Sequence, residues 1–96
     1  MKLYVVRHGD AANAASDSER PLSSYGQSEV RRVAQFMESK SVAVPTIWHS
    51  TKRRARETAE ILSTAIGGRL EERTGLSPND AADVVAVELQ NYRDAD

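Results

Sequence analysis

Hydrophobic and polar positions divide the chain into short blocks whose periods differ. Lys2-Leu3-Tyr4-Val5-Val6 is β-branched, aromatic and apolar on both faces, the pattern of a strand buried on both sides as in a parallel sheet. It stops at Arg7-His8-Gly9-Asp10, and residues Ala11 to Ser24 are small, polar and broken by Pro21, which predicts a long loop. A loop of that length in a compact domain is more often functional than idle. Ser24 followed by Gln27 is a capping-box pattern. Val30, Val33, Ala34 and Met37 then recur at helical spacing, with Phe36 beside them and Glu29, Arg31, Arg32, Gln35 and Glu38 opposite, predicting an amphipathic helix.

After Pro45, Thr46-Ile47-Trp48-His49 is a second strand candidate, with Trp48 expected in the core. A second helix is expected from about Thr51, its apolar stripe Ala55, Ala59, Leu62 and Ile66, ended by Gly67-Gly68. A weak strand is expected over Arg69 to Glu71, then a loop over Arg73 to Leu76. Ser77-Pro78-Asn79-Asp80 carries the signals of a helix start, and Val84, Val85, Leu89 and Tyr92 would be that third helix's buried side. The order β-α-β-α-(β)-α predicts an α/β fold, a parallel sheet with crossover helices. Two or three strands under three helices make little core, so residues 1–96 read as one domain present only in its N-terminal part.

Composition narrows the function. Ninety-six residues with 40% apolar and 28% charged side chains suit a folded globular chain. Thirteen basic against fourteen acidic residues leave a net charge of −1, which argues against nucleic acid as partner. The absence of Cys removes disulfides, thiolate metal sites and a cysteine nucleophile, and two His are too few for a His-rich zinc site. No metal or organic cofactor is expected. No apolar run approaches the ~20 residues of a membrane helix, and Met1 to Val6 lacks the layout of a signal peptide, so a cytoplasmic location is expected. All but Lys2, Lys40 and Lys52 of the basic residues are Arg, the better shape for gripping phosphate or carboxylate.

In open α/β sheets ligands bind beyond the carboxyl ends of strands, where His8 and His49 both fall. His8 stands between Arg7 and Gly9, and Gly9 would let a ligand approach the backbone. Guanidinium groups around an imidazole call for an anion, most naturally a phosphoryl group whose charge they spread. A neutral ring nitrogen could then attack phosphorus and carry the group transiently. An Arg-His-Gly tripeptide is a weak signal by itself; its place after a buried strand and before a long loop strengthens it. Lys52-Arg53-Arg54-Ala55-Arg56 could be a plain solvated helix face, but spacing sorts it. Arg53 has Glu57 and Arg56 has Glu60 four residues on, whereas Arg54 has Thr58 and borders the apolar stripe. Arg54 is thus the arginine expected at the site. Arg20 in the loop is ambiguous, and His49 reads as structural.

These residues resemble the histidine phosphatase superfamily, the phosphoglycerate-mutase-like group, and within it the SixA-type phosphohistidine phosphatases. MKLYVVRHGD is similar to their opening strand and Arg-His-Gly motif, ASDSERPL (Ala15 to Leu22) to their loop, and WHSTKRRARETAE (Trp48 to Glu60) to their second motif. Leu76-Ser77-Pro78 resembles the start of their third helix. The resemblance implies a three-layer α/β/α fold and a phosphohistidine phosphatase working through a phosphohistidine intermediate. It makes His8 the nucleophile, Arg7 and Arg54 the paired clamps, and Arg20 and Gly9 further phosphate contacts. Thr51 stands where the group has Pro, and the second catalytic histidine has no counterpart in the chain. Activity of these residues alone is therefore an open expectation.

A non-catalytic phosphate-binding module and a general small phosphomonoesterase of the same superfamily stand as alternatives. Expected partners are a phosphohistidine protein or a small phosphoester, and inorganic phosphate. No membrane partner is expected, and an exposed sheet edge could pair copies of the chain.

Overall fold

The computed structural model describes residues 2–73 and 84–88. Strand β1 (Lys2–Val6) is followed by a single 3-10 turn (Asp17–Glu19), then helix α1 (Ser24–Ser39), strand β2 (Thr46–His49), helix α2 (Arg53–Ile66), strand β3 (Arg69–Glu72) and strand β4 (Val84–Glu88). The strands form one sheet in the order β1-β4-β2-β3. β2 and β3 are parallel and joined by α2, so the expected crossover unit is present. β4 runs antiparallel to both β1 and β2, which makes those two parallel to each other in direction but separated by one strand. The architecture is α/β, and the sheet is mixed rather than wholly parallel.

β4 overturns part of the expected third helix. Val84 and Val85 lie in a strand, opposite Val6 and Val5 on one side and His49 and Trp48 on the other. The physical reason is local. Val84-Val85-Ala86-Val87 is dominated by β-branched side chains, which favour a pleated surface, and two open strand edges were there to pair with it. Adjacent valines also carry no period that separates helix from strand. The helix-start signal at Ser77 to Asp80 and the expected buried residues Leu89 and Tyr92 lie outside the described residues.

Helix α1 begins one residue earlier than its capping box suggested. Ser23, not Ser24, is the N-cap, and its hydroxyl oxygen accepts from the Gly26 N–H at 2.9 Å. The buried stripe is Gly26, Val30, Ala34 and Met37. Val33, expected inside, is exposed, as is Phe36. α1 packs beside α2, so only a narrow stripe is covered, and Val33 falls on its flank where a cleft opens.

Helix α2 buries Ala55, Ala59, Leu62 and Ile66, the expected stripe, together with Arg54 and Thr58. The small Ala55 and Ala59 let α2 approach closely, and Ile47 and Leu62 are fully excluded from solvent in the core between helix and sheet. Gly67, at φ 77°, ends the helix with its N–H on the Ser63 carbonyl, a backbone geometry a side chain would strain. Trp48 is half-buried rather than core, and the Arg73 guanidinium lies over its ring at 4.5 Å.

The long loop is more ordered than its composition suggested. Ala11 and Leu22 form an antiparallel bridge, and Ala12 N–H donates to the Pro21 carbonyl at 2.8 Å. Glu57 of α2 pins the returning limb by accepting from Leu22 N–H at 2.7 Å.

Candidate active site

His8 follows the end of β1 by two residues and is half-buried. Its Nδ1 lies 2.7 Å from the Gly9 carbonyl oxygen. A carbonyl can only accept, so Nδ1 carries the proton and Nε2 keeps its lone pair. Arg54 comes from the first turn of α2 and donates its Nε–H to that Nε2 at 3.2 Å. Arg54, and neither Arg53 nor Arg56, is the α2 arginine that the structure brings to His8. Arg53 instead pairs with Glu57 at 2.9 Å and Arg56 with Glu60 at 4.0 Å, as their spacing suggested.

Arg54 is buried, its side chain only 8% exposed, so its charge needs acceptors. Asp17 of the loop supplies them. Arg54 Nη1 donates to the Asp17 carbonyl oxygen at 2.9 Å and Nη2 to its carboxylate at 3.3 Å. Arg20 and Lys52 reach the same carboxylate, each at 3.4 Å. Hydrogen bonding and charge from Arg54 above all, then from Arg20 and Lys52, hold the Asp17 carboxyl below its ordinary value of 3.8.

Sequence reasoning missed Asp17 and Thr58. Thr58, fully buried, donates its hydroxyl to the Arg54 carbonyl at 2.8 Å and accepts the Gly9 N–H at 3.2 Å, joining α2 to the turn that carries His8. One signal pointed to Asp17: an arginine on the edge of an apolar stripe must find an anion, and the loop offered Asp10, Asp17 and Glu19.

Gly9 lines the cleft beside His8 and also has a packing task. A Cβ there would lie 2.7 Å from the Gly26 carbonyl oxygen and 2.8 Å from Val30 Cγ2. One on Gly26 would meet backbone atoms of Asp10 even more closely. The two glycines press the His8 turn against the start of α1. With its N–H on Thr58 and its carbonyl on His8, Gly9 sets the geometry of the turn.

A cleft of about 490 Å³ opens beside the His8 turn. Arg7, exposed, and Arg20, half-buried, line it with His8, facing Asp10, Tyr25 and Glu29. Arg20 also fastens the loop, donating Nε–H to the Ala12 carbonyl at 3.1 Å and Nη2–H to that of Ala11 at 3.2 Å. Arg54 is not on this wall; it reaches His8 from the α2 side. His49 is buried, its Nδ1–H on the Ser50 carbonyl at 2.8 Å, in keeping with a structural residue. Among the described residues no group of three or more His, Cys, Asp or Glu could hold a metal ion, and no helix is long and apolar enough to cross a membrane.

Residues 3–86 match the Histidine phosphatase superfamily (branch 1). The chain is 41% identical over 61 residues to the phosphohistidine phosphatase SixA of Escherichia coli strain K12, covering 62% of this chain and 38% of that protein. It is 34% identical over 99 aligned positions to an uncharacterized protein of Picosynechococcus sp. strain PCC 7002, covering 99% of this chain and 60% of the other. A solved structure of the protein histidine phosphatase SixA complexed with tungstate superposes with a TM-score of 0.70 at 36% identity, covering 75% of this chain and 48% of that one. The chain thus spans between about two fifths and three fifths of these relatives' length. Both the matched span and the shared fold lead to one conclusion: the chain belongs to the histidine phosphatase superfamily.

Proposed function

We propose that the domain to which these residues belong is a phosphatase whose nucleophile is Nε2 of His8, with phosphohistidine on a partner protein as its substrate class. One observation carries this reading: Nδ1 of His8 is committed to the Gly9 carbonyl, while Nε2 meets a guanidinium N–H at 3.2 Å. The named relative is a phosphohistidine phosphatase, and the tungstate complex of a related SixA supports an oxyanion site of the same kind here.

In the first step the Nε2 lone pair attacks phosphorus and an N–P bond forms. The bond to the substrate's imidazole breaks, and that imidazole leaves with its electron pair and takes a proton from solvent. As the phosphoryl group arrives, the Arg54 Nε–H passes from Nε2 to one of its oxygens, and Arg7 and Arg20 meet the others from the cleft. Charge spread over the transferring group is what these guanidiniums stabilise. In the second step water attacks phosphorus, the His8 N–P bond breaks and orthophosphate leaves. A good imidazole leaving group needs no strong acid beside it.

Incubation with phosphoramidate or a phosphohistidine protein is expected to add one phosphoryl mass to the His8 peptide, and none in His8→Ala. A protein that turns over neither donor and carries no label would overturn the enzymatic reading. The arginines gathered about His8 would also serve one alternative, a phosphate-binding module without turnover. That module would bind orthophosphate, lose it in Arg54→Ala and never label. A general phosphomonoesterase would instead prefer a small aryl phosphate to phosphoramidate.

A further inference from the structure

We infer that Asp17 is a positioning residue: by clamping both terminal nitrogens of Arg54 it aims the Nε–H of that arginine at Nε2 of His8. The inference rests on the proposed role of His8 and names the group that sets it up.

A guanidinium is flat, so fixing its two outer nitrogens fixes where the third points. Asp17 holds both, Nη1 through its backbone carbonyl oxygen and Nη2 through its carboxylate. The remaining nitrogen, Nε, is the one at His8. Asp17 is itself held from several sides. Its carbonyl oxygen also accepts the Arg20 N–H at 3.2 Å, which closes the 3-10 turn, and its carboxylate meets Arg20 Nη1 and Lys52 Nζ. The residue is 59% exposed, so an acid here is not needed to fill space or complete a core. Its service is to a buried cation from another element. The carboxyl is held below the ordinary carboxylate range, chiefly by Arg54, so it is charged at neutral pH. An exposed loop acid thereby decides the direction of a buried arginine.

Two measurements on the full chain test this. The first is the Arg54 Nε–H resonance in nitrogen–proton correlation spectra without ligand. It is expected as a discrete, slowly exchanging signal in the wild type, retained in Asp17→Asn and lost to exchange in Asp17→Ala. The second is calorimetric affinity for orthophosphate in a double-mutant cycle. Asp17→Ala is expected to weaken binding about tenfold in the wild type, on the scale of a charge-assisted hydrogen bond. In an Arg54→Ala background the same change is expected to do nothing further.

A role confined to stapling the loop through Arg20 would make the two losses add, and additive losses overturn the proposal. So does an unchanged Nε–H signal in Asp17→Ala. A wild type that binds no orthophosphate would count against the proposed function; the Nε–H comparison would still decide the role of Asp17.

Discussion

The ends of β1 and β2 form a natural pair. Each delivers a histidine to the same edge of the sheet, and in each the ring Nδ1 is fixed by the carbonyl of the next residue, Gly9 at 2.7 Å and Ser50 at 2.8 Å. They lie at nearly the same level, since Val6 and His49 both stand opposite Val84. Two inter-strand spacings, roughly 10 Å, separate those two strand ends. What differs is the surroundings. His8 lines an open cleft with Arg7 and Arg20 and has Arg54 on its Nε2; His49 is buried. The anchor that selects a tautomer is cheap and occurs twice. Reactivity requires the second half, a place beside a cleft among cations.

The largest expected effect breaks that comparison outright. His8→Ala should abolish phosphoryl labelling, whereas His49→Ala should leave labelling in place and cost about 1–3 kcal/mol of stability by stripping the Ser50 carbonyl of its donor. Peptide mass spectrometry and thermal melting together read both. Equal loss of label in the two variants would erase the distinction.

Next in size is Arg54→Ala, expected to slow turnover by about 10²–10³-fold, the scale of a lost donor to a developing oxyanion. Arg54→Lys should recover little, because one ammonium cannot span His8 and Asp17 together. Steady-state rates on phosphoramidate check this; full activity in the lysine variant would show that charge alone suffices.

Gly9→Ala sharpens the structural side. The added methyl would overlap the Gly26 carbonyl and Val30, for an expected cost of about 1–3 kcal/mol as the turn and α1 move apart. Denaturant unfolding measures the loss, and turnover should fall with it as His8 shifts.

The smallest effect is on pH dependence. The Asp17 carboxyl is lowered in the folded state, chiefly by Arg54, so the stability it adds is present above the unfolded carboxylate pKa. That contribution is lost as pH falls through the lower folded value. Asp17→Asn should lower the melting temperature slightly in the neutral region and flatten the acid limb below about pH 4, so that the two profiles converge at low pH. An identical acid limb in the two proteins would argue against the Arg54–Asp17 pairing.

Much of this was legible in the sequence where one constraint acted alone. The i to i+4 partners of Arg53 and Arg56 singled out Arg54, and the small-residue stripe of α2 marked its buried face. Val84 and Val85 misled because adjacent β-branched residues suit helix or strand until two open strand edges decide. Val33 misled because the width of a buried stripe depends on what packs against it. Gly9 carries a constraint that the chain pattern does not show: its missing side chain makes room for α1. Asp17 could be suspected only from the needs of Arg54, since nothing within the loop distinguishes it from Asp10 or Glu19.

The most direct test is the position of the phosphoryl group on the trapped imidazole. Phosphorus–nitrogen coupling in the labelled His8 peptide should place it on Nε2, the nitrogen facing Arg54. Attachment at Nδ1, the nitrogen held by Gly9, would contradict the account.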